Sequence, residues 1–164
     1  VRVRQGASAR TGPRTPTIDE DGRSFVDLVK GEEYVVRLHN HADFEAAVTL
    51  TIDGLSMFAF SEEGNFGSQV LVPAGKFVDI PGWYINNRDT DAFEISSYGK
   101  SAAAERNIPV TSVGVITASF HESVEGSDKS PNATARGRRI GKKYVEVKRV
   151  IKNLQSVISV RYSR

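Results

Sequence analysis

The chain has 164 residues and no cysteine, so it is long enough to bury a core without metal or disulfide staples, and disulfide chemistry is excluded. With no apolar run near the ~18 residues of a membrane helix and no charged-then-apolar leader, neither a membrane span nor a signal peptide is expected. The formal net charge of +2 conceals a division: residues 1–14 carry four Arg and no acid, residues 136–164 carry ten Lys or Arg against Glu146 alone, and residues 15–135 carry eight bases and nineteen acids. Basic ends on an acidic middle attract each other within one molecule, between copies, or with a polyanion such as nucleic acid. The first residue is Val1 rather than Met, which is expected where an initiator or a longer leader has been removed, and the compartment stays open.

From the start, residues 1–21 mix Gly, Ser, Thr, Pro and Arg, and Gly12-Pro13 and Thr15-Pro16 oppose helix, so an extended basic arm is expected there. Val1 and Val3 alternate with Arg2 and Arg4, which fits a short edge strand. A single domain is expected over residues 22–164. Asp21-Gly22 turns the chain into Ser24-Phe25-Val26-Asp27-Leu28, and Lys30-Gly31 turns it again into Tyr34-Val35-Val36-Arg37-Leu38, a strand with Tyr34, Val36 and Leu38 on one face. His39 to Asp43 is a polar link.

The stretch Ala46 to Trp83 carries the clearest signal. Val48, Leu50 and Ile52 alternate with Thr49 and Thr51, and Asp53-Gly54 supplies the positive φ angles of a tight turn. Ser61 to Ser68 reads as a loop. Val70-Leu71-Val72 and the run Phe77 to Trp83, joined by Pro73-Ala74-Gly75, read as neighbouring strands. Asn86 to Asp91 is a second loop, followed by a strand at Ala92 to Ser96 and a helical turn or two at Ser101 to Arg106. Val113 to Phe120, apolar or small on both faces, suits a central strand, and Glu122 to Gly137 a polar loop.

The C-terminal segment conflicts with itself. Tyr144, Val147, Ile151, Leu154 and Ile158 recur at helical spacing, yet the segment is rich in β-branched residues and Ile158, Val160 and Tyr162 alternate. Two strands are expected, Lys143 to Ile151 and Ser156 to Tyr162. Eight to ten short strands with little helix give an all-β fold, an antiparallel β-sandwich of jelly-roll type with an extended N-terminal arm.

Motifs for chemistry are sparse. Tyr98-Gly99-Lys100-Ser101 contains the Gly-Lys-Ser of a phosphate loop, but the position five before Gly99 is Glu94 where glycine is required. His39, His41 and His121 are the raw material of a zinc site without its spacing, and no metal or cofactor is assigned. Trp83 and Tyr84 beside Asn87, Asp89 and Asp91 form a candidate ligand loop, suited to a sugar and to calcium, although aromatics in alternating strands are mostly core and Asx residues mostly turn formers. No activated nucleophile is visible, so a catalytic role is not expected.

The basic ends carry the functional expectation. Arg2, Arg4, Arg10 and Arg14 at one end and Arg136, Arg138, Arg139, Lys142 and Lys143 at the other are the candidate contacts to an acidic neighbour or to phosphates. No aromatic is interleaved through the second cluster as a base-stacking platform would need. Assembly with copies of the same chain or with other structural proteins comes first, a virion or surface-layer component being its concrete form. Glycan binding and nucleic-acid binding are the alternatives.

One resemblance adds to this reading. Tyr34-Val35-Val36-Arg37-Leu38-His39-Asn40, Ile52-Asp53-Gly54-Leu55, Pro81-Gly82-Trp83, Val113-Gly114-Val115-Ile116 and Val157-Ile158-Ser159-Val160-Arg161-Tyr162 resemble, in that order, the pattern of an uncharacterised bacterial β-rich domain family. The resemblance spans most of residues 22–162. Thr51-Ile52 stands where Ser-Val is usual, and Ile108 to Ser112 interrupts the run after Asn107. It implies a β-rich accessory or structural module, with no activity and no catalytic residues to carry over.

Overall fold

The computed structural model describes residues 1–5, 11–64, 69–126 and 147–162, with backbone alone at Arg4 and Gln5. In chain order its strands are β1 (Arg2–Gln5), β2 (Gly12–Pro13), β3 (Thr17–Ile18), β4 (Ser24–Phe25), β5 (Glu33–His39), β6 (Ala46–Ile52), β7 (Leu55–Ser56), β8 (Val70–Val72), β9 (Phe77–Ile80), β10 (Gly82–Tyr84) and β11 (Thr90–Glu94). One helical turn, α1 (Ala102–Glu105), precedes β12 (Val115–Val124) and β13 (Val150–Arg161). The fold is therefore mostly β, as expected, and the short helix falls where alanines and a Ser101 side chain capping the Ala104 amide favour one.

The strands form two sheets. One runs β10-β11-β5-β1-β2 with β9 also on β5, and the other runs β3-β4-β13-β12-β6-β7 with β8 also on β6. All pairings are antiparallel except a single parallel bridge between Phe25 of β4 and Arg161 of β13. The alternation read in β5 and β6 holds: Tyr34, Val36 and Leu38 from the first sheet and Val48, Leu50 and Ile52 from the second enter one hydrophobic cluster. The predicted turn after β6 is a tight hairpin to β7, with φ of 54° at Asp53 and 79° at Gly54.

Val70-Leu71-Val72 and Phe77 to Ile80 do not pair as neighbours. β8 pairs with β6 and β9 with β5, so the four residues between them carry the chain from one sheet to the other. Asn40 fixes that corner. Buried at the end of β5, its side-chain amide donates to the carbonyls of Phe44 (2.7 Å) and Val72 (3.0 Å), and its Oδ1 accepts from Ala42 N (3.1 Å). Its own amide donates to Lys76 O at 2.9 Å. One buried polar side chain thus ties the link after β5 to β8 of the other sheet, satisfying backbone groups where the ladder bonds stop. The run Phe77 to Trp83 also breaks, at Pro81, because Gly82 turns out of line to pair with Ala92 of β11. A Cβ at Gly82 would lie 1.9 Å from the Asp91 carbonyl oxygen, so only glycine permits that approach.

Two further expectations change. The strand at the chain start is interior rather than an edge: β1 lies between β5 and β2, and Val3 is buried in the core. The C-terminal segment forms one strand of twelve residues where two were expected, and residues 143–146 lie outside the described residues. Its ladder with β12 shifts register twice, between the pairs Phe120/Ser156 and His121/Leu154 and between His121/Leu154 and Ser123/Ile151. Those bulges absorb the polar residues that suggested a break.

Candidate functional site

The sequence nominated three places, and the structure separates them. At the aromatic loop, β10 buries Tyr84 completely, and its hydroxyl donates to Asn87 Oδ1 at 2.9 Å. Tyr84 therefore has no face to offer a sugar, which corrects its place in the ligand loop. Trp83 is half-buried, with edge-on contacts to Phe60 (5.3 Å) and Phe93 (5.1 Å). The turn closes on itself through Asn86, whose Oδ1 accepts from the Arg88 and Asp89 amides, each at 2.9 Å. Asp89 and Asp91 are exposed. Among the described residues no three His, Asp or Glu side chains converge to hold a metal ion.

His39 and His41 do come together, stacked at 5.6 Å, and His39 leans on Phe77. Arg37 lies over that Phe77 ring at 4.0 Å and forms a two-pronged bridge to Asp79 (2.7 and 2.8 Å). The hydrogen bond from Arg37 holds the Asp79 carboxyl below its usual range. His121 belongs to the other sheet, so the three histidines do not converge. At the phosphate-loop remnant, Gly99 and Lys100 occupy a single 3-10 turn ahead of the four-residue α1, without the long helix whose N-terminus would receive phosphate.

The basic ends resolve in part. Arg10, Arg136, Arg138, Arg139, Lys142 and Lys143 lie outside the described residues, as does the side chain of Arg4. Arg2 is exposed. Arg14 is turned inward: its guanidinium pairs with Glu32, a fully buried carboxylate, at 2.6 and 3.1 Å, and also donates to the Asp27 carbonyl. Arg149 bonds Glu45 at 2.8 Å and Lys152 bonds Glu122 at 2.9 Å. At these three points the basic ends meet the acidic middle inside one molecule.

The feature that sequence reasoning missed is the surface of β13. On one side it pairs with β12 along its length. On the other, among the described residues, it meets β4 only at Arg161, where Val26 N donates to the Arg161 carbonyl at 2.8 Å. Val150, Ile151, Leu154, Val157 and Ile158 are all exposed, the last three by 53% of their surface. Since successive residues of a strand face opposite ways, adjacent Val157 and Ile158 leave apolar surface on both faces. The alternation at Ile158, Val160 and Tyr162 announced a strand and said nothing of what covers it.

Both ends of β13 are clamped, while among the described residues its outer edge is paired only at Arg161. Before it, Glu45 Oε1 accepts from Arg149 and from the Ser123 hydroxyl (2.9 Å), and the Arg149 bond in particular lowers the Glu45 pKa. After it, the Tyr162 hydroxyl donates to Asp53 Oδ2 at 2.5 Å, while Asp53 Oδ1 accepts from the Gly114 and Val115 amides. Burial, then the bond to Asp53, raises the Tyr162 pKa far above its ordinary value, and burial does the same for Tyr34. No helix among the described residues is long and apolar enough to cross a membrane. No family model, curated protein or solved structure matches the chain.

Proposed function

We propose that this chain is a non-enzymatic structural module that associates with copies of itself, built as a jelly-roll-like β-sandwich in which the stretch 1–21, expected as an extended basic arm, instead supplies β1, β2 and β3 to the two sheets. The observation that carries the reading is β13, a twelve-residue strand whose outer edge, among the described residues, is paired only at Arg161 and which has five exposed large apolar side chains. Edges of that length are normally shortened, charged or covered, because unpaired amides and carbonyls recruit another strand. Contiguous exposed apolar surface marks an interaction site on the same grounds.

The charge layout supplies a second component. Arg14, Arg149 and Lys152 are neutralised within the chain, so of the candidate contacts to a neighbour's acidic body Arg2, Arg4, Arg10 and the cluster at 136–143 carry the proposal. The resemblance to a β-rich structural family points the same way. Sugar binding is not carried forward, since Tyr84 is buried.

The test is the solution mass by light scattering at low and high salt, on the native chain and on Leu154→Lys. Removing residues 1–14 is a poor test, because it strips Val3 from the core. Particles larger than one chain that Leu154→Lys dissolves support the reading; a mass of one chain in every condition overturns it. Particles that only salt dissolves place the contact at the basic ends and not at β13.

A further inference from the structure

We propose that two copies of this chain join their β13 edges antiparallel about a two-fold axis at Leu154, merging two seven-stranded sheets into one. This rests on the self-association reading and specifies its partner and register.

The first argument is the lack of any guard on the edge. Between Val150 and Val160 there is no proline, and the one charge is Lys152, whose ammonium is held by Glu122 of the neighbouring strand at 2.9 Å. A lysine held over its own sheet does not repel an incoming strand as a free one would.

The second is the spacing of the exposed residues. Val150-Ile151, Leu154 and Val157-Ile158 are symmetric about Leu154. Antiparallel pairing about that residue sets Val150 opposite Ile158, Ile151 opposite Val157 and Leu154 opposite its copy, while Lys152 faces Ser156. Every exposed large apolar side chain of the strand then meets another, on both faces of the joined sheet, which is the pairing that stabilises a ladder. A register one residue away in either direction sets Val157 against Lys152 or Ile158 against Arg149. The second copy is thus favoured by the strand's own sequence over a foreign strand.

The third is the position of the two bulges. They fall between Ser156 and Leu154 and between Leu154 and Ile151, one on each side of the proposed axis. A bulge bends its strand, and on an isolated edge that discourages pairing. A two-fold axis at Leu154 leaves one bulge on each side, and the part of each bend that lies out of the sheet plane runs the same way in both copies.

The chain lacks cysteine, so introduced thiols report position without background. Directly opposed residues of an antiparallel pair have Cα atoms about 4.5–5.5 Å apart, inside the range a disulfide spans. Under mild oxidation at associating concentrations, Leu154→Cys should link to its own copy to completion. Val150→Cys mixed with Ile158→Cys should give a linked heterodimer that neither forms alone, and Ser159→Cys alone should stay unlinked. Self-links at Ser159→Cys with none at Leu154→Cys, in a chain that still scatters as particles, overturn the register while self-association stands. A native chain that scatters as a monomer at every concentration overturns both.

Discussion

β12 and β13 lie side by side, paired through nine register positions, yet they occupy opposite environments. β12 has a partner on each side and buries Ile116, Ala118 and Phe120; β13 has, among the described residues, one partner along its length and every residue from Val150 to Ser159 exposed. Their compositions differ less than their surroundings, since both are rich in valine and isoleucine. The contrast shows that β-branching and alternation specify an extended backbone, whereas burial depends on what the topology sets opposite. It also shows where stability and interaction divide: one strand puts its side chains into the core that the two sheets share, and the next is held at its ends and, among the described residues, left open along most of its edge.

The largest effect expected from this contrast separates two leucines. Leu50, on β6 beside β12 and 1% exposed, should cost about 3–4 kcal/mol when replaced by alanine, as deletion of buried side chains does. Leu154→Ala should change the stability of the dilute chain by less than about 0.5 kcal/mol while weakening any associated form. Denaturant unfolding at low concentration checks both, and equal losses would erase the distinction between the strands.

The corner that joins the sheets comes next. Asn40→Ala strands the carbonyls of Phe44 and Val72, and the loss of partners to buried backbone groups should cost about 2–3 kcal/mol, read from the same unfolding midpoints. A loss near zero would mean that water replaces the side chain there.

The clamps of β13 are expected to matter less, and each through pH. Tyr162→Phe removes one charge-assisted hydrogen bond and should cost about 1.5–2 kcal/mol at neutral pH. The folded pKa values of Tyr34 and Tyr162 lie above the ordinary 10.0, so the stability they favour is complete below pH 10 and declines as pH rises beyond it. Tyr162→Phe should flatten that alkaline decline without abolishing it, because Tyr34 remains. At the other clamp, Glu45 has its pKa lowered from 4.5, so its contribution is present above that pH and fades below it. Glu45→Gln should give a smaller loss at neutral pH than Tyr162→Phe and a shallower acid limb, both measurable by thermal unfolding across pH.

The strands at Tyr34 to Leu38 and Val48 to Ile52, the Asp53-Gly54 hairpin and the central placement of Val115 to Phe120 were legible because period-2 burial and positive φ leave direct marks in sequence. Pairing was not. Nothing in Val70-Leu71-Val72 or Phe77 to Ile80 says that they belong to different sheets, because the decision is made at Asn40, which sequence alone presents as one more polar linker residue. The place of Tyr84 in the ligand loop was misjudged for a related reason: it has the chemistry of a sugar platform, but its exposure is set by β11 and Phe58, against which its ring packs at 5.3 Å. The open edge of β13 was invisible because an apolar alternation looks the same whether a sheet or solvent lies beyond it.

The central claim is that the outer edge of β13 pairs with a second copy, and amide hydrogen exchange reads that edge directly. In an antiparallel strand alternate amides point to opposite sides, so, outside the two bulges between Ile151 and Ser156, the amides from Val150 to Ser159 alternate between those held by β12 and those facing outward. The account predicts that the outward set exchanges freely in dilute solution and becomes protected as concentration rises, while the set facing β12 is protected throughout. Outward amides that exchange at the same rate at every concentration at which the protein is soluble would contradict it.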